Sequence, residues 1–130
     1  SLKWPEYVEK LILNGGDLSP AGVKAHVQLP IVLGWAAASL CARLFPGARP
    51  NAELLSLMVT QPHIDPAELG RLSMPVLVIA GSRDMIRESH TRSIAAAIPG
   101  ARLVILPGDH FLAQKNSAAF NRAVEQFLQA

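Results

Sequence analysis

The stretch Pro75-Val76-Leu77-Val78-Ile79-Ala80-Gly81-Ser82-Arg83-Asp84 decides the fold. Five apolar residues in a row, three of them β-branched, read as a strand buried on both faces. The glycine closes it. A second such run, Arg102-Leu103-Val104-Ile105-Leu106, ends in Pro107-Gly108 and leads into Asp109-His110-Phe111. Between them lies an amphipathic stretch from Glu88 to Ile98, stopped by Pro99-Gly100. Strand, helix and strand in that order predict parallel pairing with a crossover helix. An earlier run, Lys10-Leu11-Ile12-Leu13-Asn14, stopped by Gly15-Gly16, supplies a third parallel strand. The expected fold is therefore α/β, with a three-stranded parallel sheet flanked by helices.

Between the first two strands the pattern turns helical. Residues from about Ile31 to Phe45 predict a helix with Pro30 at its first position and Pro46-Gly47 as its stop. Val32, Trp35, Ala36 and Ser39 fall on one face, and Leu33, Ala37, Leu40 and Leu44 on the other. A helix that is apolar all round is expected to be covered on both sides. Its uncharged stretch from Ala25 to Ala42 is shorter than the roughly 20 apolar residues that span a bilayer, so a buried or interface helix is expected, not a membrane anchor. A shorter helix is predicted near Ala52–Thr60, and Asp65-Pro66 caps another start that ends near Leu72. The final helix is predicted over Asn116–Leu128, with Phe120, Val124, Phe127 and Leu128 on one face.

Composition narrows the function classes. The 130 residues are 50% hydrophobic and 17% charged. Mean hydropathy is +0.26. Such apolar surplus in a small chain reflects either plain Ala and Leu richness or surface that faces another polypeptide, a second copy or a missing N-terminal half. The 12 Lys and Arg are scattered, which argues against a nucleic-acid footprint. Cys41 is the single cysteine, so no internal disulfide forms and a cytoplasmic setting is expected. Its apolar surroundings predict a buried, inert thiol. No basic region followed by an apolar stretch marks a signal peptide.

In parallel α/β sheets, ligands bind beyond the carboxyl ends of the strands. Three loops are placed there: Asn14-Gly15-Gly16-Asp17, Gly81-Ser82-Arg83-Asp84 and Gly108-Asp109-His110-Phe111. An acid followed later by a histidine is the order needed for a carboxylate to orient an imidazole base. Each residue has a plainer reading. Asp84 alone would serve as a turn acid, His110 as a loop histidine and Asp109 as a solvated loop acid. His26, His63 and His90 have no spacing to Cys, Asp or Glu that suits a metal, and His90, beside Glu88, is expected at the surface.

These loops carry a resemblance. Residues 74–84 resemble the α/β-hydrolase strand that ends in the triad acid, and residues 101–111 resemble the next strand with its histidine loop. Asn121-Arg122-Ala123-Val124-Glu125-Gln126-Phe127-Leu128 is similar to that family's last helix. Val8 to Asp17 is similar to the strand after the nucleophile helix. Residues 22–72 fall where the family inserts a helical cap. The resemblance implies a truncated α/β-hydrolase fold, residues 1–130 forming its C-terminal part. It implies Asp84 as triad acid and His110 as the base, with Asp17 as alternative acid. Trp35, Met58 and Met85 are candidates for the wall of a substrate pocket. No metal or cofactor is implied, and the expected substrates are small esters or related acyl compounds.

The family places its nucleophile on a Gly-x-Ser-x-Gly turn and adds a glycine-rich or His-Gly oxyanion segment upstream. These 130 residues contain neither. The chain alone is therefore expected to be inactive, and a Ser, Asp or Cys nucleophile all stay open. A non-catalytic oligomerising or partner-binding module fits the apolar surplus equally well. A flavodoxin-like domain is disfavoured, because no phosphate-binding glycine loop follows the first strand.

Overall fold

The computed structural model describes residues 1–130. The chain divides into two compact units: Ser1–Asp17 with Asp65–Ala130, and Leu18–Ile64. Both bounds of the second unit lie nearer the N-terminus than the residues 22–72 read from sequence.

The first unit holds the sheet. Strands β1 (Leu11–Asn14), β2 (Val76–Gly81) and β3 (Arg102–Leu106) lie in the order β1-β2-β3. Both pairings are parallel, with Leu11 opposite Val76 and Leu77 opposite Arg102. Every residue of β2 is buried, as its unbroken apolar run requires. Alternate side chains leave opposite faces. Leu77 and Ile79, both fully buried, meet Leu112, Ala123 and Phe127. Each contributes about 1.5–3 kcal/mol by burial. Helix α3 (Glu88–Ala97) touches β2, β3 and the 3-10 segment Pro66–Arg71. It buries Thr91 and Ile94. Asp65 caps that 3-10 segment, its Oδ1 accepting the Ala67 N–H at 2.9 Å.

The C-terminal helical stretch is broken. A short α4 (Leu112–Lys115) precedes α5 (Ser117–Gln129). Lys10, just before β1, donates to the carbonyls of Leu128 at 2.7 Å and Phe127 at 3.3 Å. A lysine there satisfies carbonyls that a helix end leaves without intrahelical partners.

The second unit is a pair of helices, α1 (Ala25–Leu44) and α2 (Arg49–Thr60), packed on each other. The Ile64 N–H donates to the Leu18 carbonyl at 2.9 Å and joins its two ends. Helix α1 starts before Pro30, which lies inside it and is not its first residue. The N–H groups of Val27 and Gln28 both bond the Lys24 carbonyl and nucleate the helix upstream, so proline removes only one later bond. The resulting 20-residue helix is long and apolar enough to cross a membrane by length and composition, contrary to the shorter stretch read from sequence.

Within this chain none of the residues of α1 is buried. Ile31, Trp35, Ala38 and Ala42 are half-buried. Leu29, Leu33, Leu40 and Leu44, spaced by four, seven and four, form one stripe and are 60–70% exposed. Cys41 is exposed too and not the buried thiol expected, because it lies on that outer side with Ala37 and Leu44.

Candidate active site

The carboxyl ends of all three strands carry the polar groups of the site. After β2 the chain turns tightly. The Asp84 N–H donates to the Gly81 carbonyl at 3.1 Å, and Asp84 Oδ1 accepts the Ile86 N–H at 3.0 Å. The turn role and the role toward histidine are thus held by one oxygen. Asp84 is 3% exposed, and a buried carboxylate is tolerated only with donors. The second donor is His110, whose Nδ1 lies 2.9 Å from the same Oδ1. A carboxylate only accepts, so Nδ1 carries the proton in this contact and Nε2 is left as the basic nitrogen. The His110 side chain is about one third exposed. Phe111 stands edge-on to its ring, with centroids 6.0 Å apart.

The histidine loop is fixed from several sides. The Arg83 N–H donates to the Gly108 carbonyl and the Ser82 N–H to the Leu106 carbonyl, both at 2.8 Å. Asp109 proves more than a solvated loop acid. Its Oδ1 accepts the Phe111 N–H at 2.9 Å, and its Oδ2 pairs with Lys115. Those contacts, the Lys115 bond first, hold its carboxyl below the ordinary value of 3.8. The Asn116 side chain adds a bond to the Pro107 carbonyl at 3.1 Å. Asp109 therefore organises the turn that presents His110.

Two glycines that sequence reading took only as strand stops make the site possible. At Gly81 a Cβ would stand 2.5 Å from the Gly108 carbonyl oxygen and 2.6 Å from that of Asp109. The histidine loop crosses there over bare backbone. Gly15 has φ +55° and lies against the pair itself. Each strand-end glycine carried a signal, but what crosses it is set by tertiary contacts.

Asp17 lies at the same edge and is half-buried. Burial raises its carboxyl above 3.8, and the nearby His90, its own backbone N–H and His110 partly offset this. Asp17 stands beside the pair, while the carboxylate that accepts the His110 Nδ1 hydrogen bond is that of Asp84. His90 is half-buried and close enough to act on Asp17. Met85, next to Asp84, is half-buried. In the second unit Trp35 is half-buried and Met58 is exposed. No cluster of three or more His, Cys, Asp or Glu could hold a metal ion.

No protein-family model matches the sequence, and no curated protein matches it. Solved structures do match. A hydrolase from Pseudomonas aeruginosa is similar at 28% identity and TM-score 0.70, over 99% of this chain and 58% of its own. An enol-lactonase from Burkholderia xenovorans is similar at 19% identity and TM-score 0.68, over 99% and 59%. A 2-hydroxy-6-oxo-6-phenylhexa-2,4-dienoate hydrolase from Rhodococcus is similar at 21% identity and TM-score 0.67, over 99% and 58%. The chain thus spans under two thirds of the length of each of these proteins. Over nearly its whole length, this chain has the α/β-hydrolase fold.

Proposed function

We propose that the chain supplies the acid and histidine of a hydrolase acting on small esters or related acyl compounds. The observation that carries this reading is the 2.9 Å contact between Asp84 Oδ1 and His110 Nδ1 at the carboxyl edge of the sheet. In that role Asp84 fixes the tautomer and stabilises the imidazolium. Nε2 of His110 takes a proton from the nucleophile and later returns it to the leaving group. The nucleophile and the oxyanion-hole donors lie outside these 130 residues in this reading. In this reading residues 22–72 correspond to a helical cap, with Trp35 and Met58 as pocket candidates within it; Met85, beside the acid, is a separate candidate. The solved hydrolases with this fold support the class of reaction.

Hydrolysis of short-chain nitrophenyl esters tests the proposal. The chain alone should give no turnover, because it lacks an attacking atom. A polypeptide that joins it to a nucleophile turn should hydrolyse them. His110→Ala or Asp84→Ala should then lower kcat by roughly a thousandfold or more. Turnover indifferent to His110→Ala refutes the reading.

The outer stripe Leu29, Leu33, Leu40 and Leu44 supports a second reading, an oligomerising or partner-binding module. In it the α1 stripe and the edge of β1 away from β2 meet a second copy.

A further inference from the structure

We propose that Gly15 is a positioning residue for the acid–histidine pair, its bare backbone forming the wall that keeps His110 and Asp84 in contact. The inference rests on reading Asp84 and His110 as a working pair. A Cβ at Gly15 would stand 3.0 Å from His110 Nδ1, 3.1 Å from Asp84 Oδ2 and 3.1 Å from His110 Cε1. It would therefore press on both partners of one hydrogen bond from the same side.

The wall cannot retreat easily. The Gly15 N–H donates to the Ile79 carbonyl of β2 at 2.9 Å, and β1 is paired to β2 along its length. Asp84 cannot retreat either, being buried and bonded to the Ile86 N–H. His110, about one third exposed, is the member that would yield. Ordinary contact begins near 3.4 Å, so the ring would have to give by a few tenths of an ångström, disturbing its contact with the acid.

Two demands meet at this position. The φ of +55° favours glycine, but asparagine also adopts that region. Only the space demand excludes asparagine as well. Gly16 is the internal control, since a Cβ there meets nothing within 4 Å.

The experiment measures, by NMR, exchange of the His110 Nδ1 proton with water in the 130-residue chain. It compares the unsubstituted chain with Gly15→Ala, Gly15→Asn and Gly16→Ala, with urea midpoints taken on each. The Gly16→Ala chain should keep the protected proton. Both Gly15 variants should exchange it at least about tenfold faster while folded, as expected when a charge-assisted bond is lengthened and weakened. Gly15→Asn keeps the test decisive if Gly15→Ala does not fold. Protection retained in folded Gly15→Asn overturns the proposal and shows that the glycine serves its backbone angle alone. A proton unprotected in the unsubstituted chain overturns the pairing itself, and with it the reading on which the proposal rests.

Discussion

Gly81→Ala should cost the chain roughly 1.5–4.5 kcal/mol of stability and move the histidine loop. The added Cβ would lie 2.5 Å from the Gly108 carbonyl oxygen, 2.6 Å from that of Asp109 and 2.7 Å from the Gly108 carbonyl carbon. All three are backbone atoms, so no rotamer change relieves them. Reaching ordinary contact near 3.4 Å requires the loop to withdraw by about 0.9 Å. That shift stretches the 2.8 Å bond from the Arg83 N–H to the Gly108 carbonyl to about 3.7 Å, beyond useful range. Overpacking a close-fitted site costs about 1–3 kcal/mol, and the lost bond about 0.5–1.5 kcal/mol. A domain is stable by only about 5–15 kcal/mol, so the loss is a large share of the total. Urea unfolding followed by far-ultraviolet circular dichroism should show the midpoint falling by roughly 1–2 M. Gly70→Ala is the control, since its Cβ enters open space, and should change stability by under about 0.5 kcal/mol. A Gly81→Ala chain as stable as that control refutes the reasoning.

Asp17 should make stability depend on pH. Its carboxyl is raised in the fold, chiefly by burial, so its contribution is fully present below 3.8 and is lost as pH rises through the folded value. Asp17→Asn should therefore gain on the unsubstituted chain at pH 7 and match it near pH 3 in urea midpoints; an equal difference at both pH values contradicts the assignment. The stripe of Leu29, Leu33, Leu40 and Leu44 should drive self-association. Light scattering over a concentration series should show a dimer that Leu40→Glu dissociates, and a monomer at every concentration rejects the contact.

The sheet was legible because its strands state their burial locally. Val76 to Ala80 is apolar without interruption, which only a strand covered on both faces requires. The meeting of Asp84 and His110 at one sheet edge was legible for a related reason, since a strand end fixes where its next residues emerge. Less was legible wherever the answer depended on what lies across a gap. Pro30 marks a helix start by local rule, yet the turn nucleated on the Lys24 carbonyl carries the helix through it. The outer face of α1 has the composition of a core and is nevertheless exposed, because periodicity specifies a face and not its cover. Asp109 looked solvated because its contacts to the Phe111 N–H and Lys115 form only once the loop has turned. Gly15 and Gly81 announced turns, but their space requirement comes from other strand ends.

The double duty of Asp84 Oδ1 bears on how such a site would decay over evolutionary time. The oxygen accepts from the Ile86 backbone as well as from His110. Removing the imidazole leaves the acid with a backbone donor and its turn intact. Removing the acid leaves a buried N–H without its acceptor and loosens the turn after β2. Drift after loss of activity should therefore erase His110 first and keep Asp84. Under the proposed role, an aspartate at this position in descendants would record foldability, while only the histidine would record selection for chemistry.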